Sequence, residues 1–225
     1  MTGDRKPYRR EGEERRREAL IAAALELVAE GGAQGATVRA IADRAGVTPG
    51  LIRHYFASKD DLTRAAYREV MMRMQADNAA VLDLAPSEPL ARLAAFVAAS
   101  LSAPVVDPVK VGLWAGFLHN LRRDPAMRAV HLEIYLSYRD LLQGLIMALP
   151  RDATAAQARA DAIACNGVID GLWLEGSVLP DSFEPGEIVR IGVAAVGAIL
   201  RVDLTGALPL AKPPGTAEPF SGATS

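Results

Sequence analysis

Residues 37–59 read TVRAIADRAGVTPGLIRHYFASK, and the spacing of this stretch decides the fold. Thr37 is a good helix N-cap, and Val38, Ile41, Ala42 and Ala45 recur at i, i+3, i+4 and i+7, which makes one buried face. Gly46 ends that helix, since glycine enters the left-handed region without a Cβ clash. Thr48 and Pro49 restart the chain as a second helix, threonine as a cap and proline at a position whose N–H has no partner anyway. Ile52 and Phe56 point inward, leaving Pro49, Gly50, Arg53, His54 and Tyr55 outward. Two short helices about a Gly-Val-Thr turn have the build of a module that lays its second helix against DNA. Arg39, Arg44, Arg53 and Lys59 against the single acid Asp43 give the segment a local net charge of +3. Such cations position a protein on phosphates, and arginine also reads guanine O6 and N7. A helical hairpin with a solvated basic face shares the pattern, so shape alone leaves both readings open.

The flanking sequence separates them. Residues 15–70 run from RRREALIAAALELVAEGGAQGATVRAIADRAGV through TPGLIRHYF to ASKDDLTRAAY. With its Gly31-Gly32 stop, Thr37 cap, Gly46, Tyr55-Phe56 pair and Lys59, this stretch resembles the N-terminal DNA-binding domain of the TetR family of transcriptional regulators. Arg53 departs from the family's commonest wording, which has tyrosine there. The GLIRHYF wording is similar to that of the BetI-like subset. The resemblance implies an all-α protein, with an N-terminal three-helix helix-turn-helix domain and a larger C-terminal helical domain for ligand binding and dimerisation.

Charge is divided in the same way. Residues 1–75 carry 14 Lys and Arg against 11 Asp and Glu, whereas residues 76–225 carry 11 against 16, so a net of −2 hides a basic head and an acidic remainder. An acidic second domain stays off the phosphate backbone. With 225 residues, 50% of them hydrophobic, the chain can bury two cores. One cysteine, Cys165, excludes an internal disulfide; the charged N-terminus does not read as a secretory signal, and no apolar run reaches 18 residues. A cytoplasmic protein without a membrane partner is expected.

The punctuation is helical throughout. Residues 1–12 are expected to be a disordered basic N-terminus, 13–73 the helix-turn-helix domain, 74–204 the regulatory domain, and 205–225 a disordered tail. Ser58 and Asp61 form a capping box that opens a long helix to about Leu84. Asp107-Pro108, Asp124-Pro125 and Glu184-Pro185 each pair an acid N-cap with a proline, marking three further helix starts, with others near 88 and 154.

The last two long helices read as an oligomer interface. Ile188, Ile191, Gly192, Ala195, Val196 and Ile199 form one stripe, and the almost wholly apolar helix around 162–174 adds Ile163, Gly167 and Gly171. Ordinary core helices of a monomer are the other reading. A dimer is expected because one helix-turn-helix reads only a half-site, and two lie about 34 Å apart on one face of the duplex. Such regulators are homodimers joined through these helices, as the resemblance also implies.

Residues 112–142, GLWAGFLHNLRRDPAMRAVHLEIYLSYRDLL, and IDGLWL at 169–174 resemble the C-terminal domain of the BetI-like subset. Trp114, Phe117, Tyr135, Tyr138 and Trp173 all fall there, although aromatic residues make up only 5% of the chain. Aromatic faces attract organic cations, and Asp170 or Glu133 could add a countercharge; aromatics at helical spacing serve equally as core. Glu133 and Tyr135 stand where the family carries basic residues, so the expected partner is a small-molecule effector of unspecified identity, an organic cation being the class the aromatics suit.

His54, His119 and His131 lie on different elements, and no metal-protease, paired-cysteine, nucleophile-elbow or phosphate-loop motif occurs. No metal or cofactor is expected, and no enzyme. The expectation is a repressor that binds double-stranded operator DNA as a homodimer. Arg53, Pro49 and Gly50 would approach the bases; Thr37, Arg39, Thr48, His54, Tyr55 and Lys59 would contact the backbone. The competing class is a module whose basic helices contact an acidic protein or RNA.

Overall fold

The computed structural model describes residues 5–208, and no strand occurs among them. The order is α1 (Arg5–Gly35), α2 (Val38–Arg44), α3 (Pro49–Tyr55), α4 (Lys59–Leu84), α5 (Pro89–Ser100), α6 (Pro108–Leu121), α7 (Pro125–Met147), α8 (Ala155–Val178), a short 3-10 turn (Pro180–Ser182) and α9 (Glu187–Leu200). α1 breaks at Gly31 and Gly32, the latter at φ +67°. It begins earlier than the expected start near residue 13, so part of the stretch expected to be disordered is helical. Of the expected tail, residues 205–208 form a turn and 209–225 lie outside the described residues, as do 1–4.

Local chemistry explains the element boundaries. Thr37 Oγ1 accepts from Ala40 N at 3.1 Å and starts α2; Gly46 turns the chain at φ +66°. Thr48 caps nothing with its side chain, so α3 starts on Pro49 alone. Ser58 Oγ accepts from Asp61 N at 3.1 Å, but Asp61 Oδ2 in return accepts from Ala57 N rather than from Ser58 N. The acid-plus-proline start occurs at Asp107-Pro108 and Asp124-Pro125, and its third instance is Glu88-Pro89. Glu184-Pro185 does not cap a helix; α9 starts at Glu187 behind Gly186, whose φ of 73° turns the chain first. Thr154 and Gln157 make a full capping box on α8.

Two apolar cores result, and α4 helps to build both. The first gathers Leu20, Ile21, Ala24 and Val28 of α1, Ile41 and Ala42 of α2, and Ile52 and Phe56 at α3, against Leu62, Ala66, Tyr67 and Val70 of α4. Leu113 and Phe117 of α6 and Met127 of α7 complete it, so the core of the N-terminal head extends into the larger domain. The second joins α5, α7, α8 and α9 with Leu82 of α4. Between the cores runs a polar seam from α4 to α7: Arg64 to Asp124 at 3.0 Å, Tyr67 Oη to His131 Nδ1 at 2.5 Å, Arg68 to Glu133 at 2.8 Å, and Gln75 to Ser137 at 2.6 Å.

α9 approaches closely where Gly192 lies, since a Cβ there would sit 2.1 Å from Leu101 Cδ1. Gly192 and Ile188, expected at an interface, are buried within the chain itself.

Candidate functional site

The outer face of α2 and α3 carries the residues expected to meet DNA. Thr37, Arg39, Thr48, Pro49, Gly50, Arg53, His54 and Lys59 are all exposed there, while Tyr55 is half-buried and takes the ring of His54 edge-on at 5.1 Å. Ile52 and Phe56 hold the helix from behind, Phe56 with the Arg17 guanidinium 5.1 Å over its ring. Arg44 drops out of the basic set: it meets Glu30 at 2.7 Å and Glu26 at 3.1 Å, clamping α2 to α1 and drawing the Glu30 carboxyl below its usual range. Arg39, Arg53 and Lys59 make no ion pair among the described residues, so the outward charge comes from these three.

A second site lies where α4, α6, α7 and α8 surround a cavity of about 290 Å³. Trp114, Tyr135, Tyr138, Asp170 and Trp173 line it, and α4 contributes Met71, Met74, Gln75 and Asn78. Each ring is fixed by a specific partner. Trp173 Nε1 donates to Val105 O at 3.0 Å, and Trp114 stands edge-on to Trp173 with centroids 5.4 Å apart. The Tyr138 hydroxyl meets Ser100 Oγ at 2.9 Å, and Ser100 in turn donates to Phe96 O. Tyr135 Oη donates to Asp170 Oδ2 at 2.9 Å, and Asn166 Nδ2 donates to the same oxygen at 2.8 Å. Burial pushes the Asp170 carboxyl up from its ordinary range, and the bonds from Tyr135 and Asn166 oppose that shift. Burial also raises the Tyr135 phenol, to about 12. Among the described residues no lysine, arginine or histidine lines the cavity, so this carboxylate has no countercharge among them.

Two expected members of the cavity lie elsewhere. Phe117 is fully buried in the first core beside Leu113, edge-on to Tyr67 at 5.2 Å. Glu133 is on the exposed seam, paired with Arg68. The contribution of α4 was not foreseen. Its signal in the sequence is an asparagine within the apolar row Met71, Met74, Asn78 and Leu82.

Of the residues expected at an interface, Ile163, Gly167, Gly171 and Ile191 are exposed, and Ala195 and Ile199 are half-buried. With Leu174 and Val178, the first three form an apolar row along α8; Ile163 is 42% exposed, Leu174 41% and Val178 56%. Cys165 lies inside, its thiol pushed up to about 12 by burial. Among the described residues no cluster of His, Cys, Asp and Glu could hold a metal ion, and no helix is long and apolar enough to cross a membrane.

A basic recognition face on one end of a shared helix and a shaped cavity further along it define a helix-turn-helix regulator. Residues 20–66 match the bacterial regulatory proteins of the tetR family, and residues 89–201 match the C-terminal domain of the BetI-type transcriptional repressor. The HTH-type transcriptional regulator BetI of Paraburkholderia phymatum is 32% identical over 177 residues, covering 78% of this chain and 88% of that one. BetI of Burkholderia thailandensis is 33% identical, with 78% and 89% covered. Among solved structures, a transcriptional regulator from Pseudomonas aeruginosa PAO1 shares 35% identity at a TM-score of 0.76, covering 86% of this chain and 94% of its own. A regulator from Saccharomonospora viridis solved with choline superposes at a TM-score of 0.66 over 84% and 97%; at 19% identity that likeness is of fold alone. The chain belongs to the TetR family, with a C-terminal domain of the BetI type, and is a DNA-binding transcriptional regulator rather than an enzyme. Membership favours duplex DNA over an acidic protein or RNA as the partner of the basic face.

Since the Tyr135 hydroxyl bond holds the Asp170 carboxyl down, Tyr135→Phe is expected to shift the Asp170 titration to higher pH, read by carboxyl-labelled NMR. An unchanged or lowered titration would show that this bond does not act on the carboxylate.

Proposed function

We propose that the protein represses transcription by binding a palindromic operator as a homodimer, and that a small organic cation in the cavity releases it. The observation that carries this reading is the double membership of α4: Leu62 to Val70 support the helix-turn-helix head, and Met71 to Asn78 line the cavity. A ligand that fits one position of α4 better than another shifts the head by its differential affinity for the two states. Arg53 reads a base edge, Pro49 and Gly50 allow close approach of α3 to the groove, and Thr37, Arg39, Thr48, His54, Tyr55 and Lys59 hold the phosphate backbone. Dimerisation through the exposed rows of α8 and α9 would bury Ile163, Leu174 and Ile191 and pair two recognition helices at half-site spacing.

The chemistry of the cavity supports a cation. Four aromatic side chains offer negative ring faces, and a half-buried carboxylate without a countercharge among the described lining residues lies among them. A proton competes with that cation for Asp170. Affinity is therefore expected to weaken as pH falls through the raised pKa of Asp170, and binding below that pKa should release a proton. Calorimetry of a quaternary ammonium probe across pH, in buffers of different ionisation enthalpy, reads both effects; a pH-independent affinity would contradict the assignment, and Asp170→Asn should abolish the dependence.

For the DNA face, Arg53→Ala is expected to cost about 1–3 kcal/mol on the operator and little on random duplex. Fluorescence anisotropy with DNA from the protein's own promoter tests this. Equal losses on both duplexes would make Arg53 a phosphate contact instead.

A further inference from the structure

One polar residue in the cavity wall lacks a side-chain partner. Asn78 of α4 is only 4% exposed, lines the cavity, and makes no side-chain hydrogen bond among the described residues; its Oδ1 is fully buried. The other polar residues of the wall are engaged: Tyr138 with Ser100, Tyr135 with Asp170, Gln75 with Ser137, and the Trp173 indole with Val105; Asn166, behind the wall, bonds Asp170 through its Nδ2 while its Oδ1 is unpaired. Burying an amide without a partner is costly, and a leucine at this point of an otherwise apolar row would avoid that cost. An amide that is idle without ligand and belongs to the wall of a ligand-sized space fits a role in the bound state. It offers both a donor and an acceptor, which suits a hydroxyl or carbonyl group and adds nothing for a bare hydrocarbon.

We propose that Asn78 is the specificity-determining residue of the cavity, hydrogen-bonding a neutral hydroxyl or carbonyl at one end of an effector whose cationic end faces Asp170. This rests on the cation reading of the cavity above. Asp170 belongs to α8 and Asn78 to α4, so a ligand with both groups ties the two helices together. Tyr67 lies about three turns earlier on the same face of α4, inside the core that supports the recognition helix. The polar end of the effector is then the part that acts on α4. A cation of the same size without it occupies the cavity and leaves the operator complex in place.

The test is calorimetry on the full-length protein with two probes of equal charge and nearly equal size, (2-hydroxyethyl)trimethylammonium and ethyltrimethylammonium. Wild type is expected to bind the hydroxylated probe roughly tenfold more tightly. Asn78→Leu should bind both probes equally, and thermal unfolding should confirm that it is folded. In an operator-release assay at saturating probe, only the hydroxylated compound should dissociate the wild-type complex. A hydroxyl preference that survives Asn78→Leu, or equal binding of both probes by wild type, overturns the role of Asn78 while leaving the cation reading intact. Failure of both probes to bind wild type, or full binding of both by Asp170→Asn, overturns the cation reading and this inference with it. Should Asn78→Leu not fold, the two probes on wild type and on Asn78→Ala decide the question.

Discussion

The structure depends on one helix having to satisfy two cores at once. α4 is 26 residues long, about 39 Å at 1.5 Å per residue, and it is shared rather than owned by either half. Tyr67 shows the constraint in a single side chain. Its ring is fully buried against Phe117 in the core that backs the recognition helix, and its hydroxyl bonds His131 on the neighbouring α7. His131 stacks on Tyr135 with centroids 5.4 Å apart, and Tyr135 holds the cavity carboxylate Asp170. Burial pushes the Tyr67 phenol up and the His131 ring down, so both stay uncharged at neutral pH. Four contacts therefore lead from the cavity floor to the support of the DNA-reading face. Nothing along them is a single rigid wire, but every member is packed against the next.

The two sides of α4 differ in kind, and the difference suits a part that moves. On the core side, side chains interdigitate at interior density, where a shift is resisted until a second packing is reached. Toward α7 the contacts are paired polar groups, including Arg64 with Asp124 and Arg68 with Glu133, and these are partly or largely exposed. Surface pairs contribute little each and can exchange partners or take up water at small cost. Asp124 also caps α7 through Ala126 N and Met127 N, so the start of that helix is tied to α4 as well. A cavity walled on one side by α4 and on the other by α8 sits where a ligand can favour one packing over another. Small sliding of packed helices is a common way for such a preference to reach a distant surface.

Much of this was legible in the sequence because local chemistry fixed it. The capping threonine at 37, the glycine at 46 and the inward pair Ile52 and Phe56 determine the helix-turn-helix from within a few residues. Four of the aromatic residues picked out by their clustering do line the cavity, since helical spacing put them on the inner faces of α6, α7 and α8. What spacing could not give was orientation between helices. Phe117 lies one turn from Trp114 yet faces the other core, because α6 is buried on both sides. Ile188 and Gly192 looked like interface residues, but α9 presses that edge onto Leu101 and α8. Arg44 entered the segment's charge count, but Glu26 and Glu30, far earlier in the chain, hold it. Each error concerns a contact between elements distant in sequence, where periodicity carries no information.

The central claim is that occupancy of the cavity is transmitted to the recognition helix through α4. Double electron–electron resonance measures it most directly, with a nitroxide on an exposed α3 position in each protomer of the dimer, recorded with and without saturating hydroxylated ammonium probe. A shift of the inter-label distance on ligand addition is expected in wild type, and a greatly reduced shift in Tyr67→Phe, which keeps the ring and loses the bond to His131. An unchanged distance in wild type under conditions where the probe releases the operator would contradict the account.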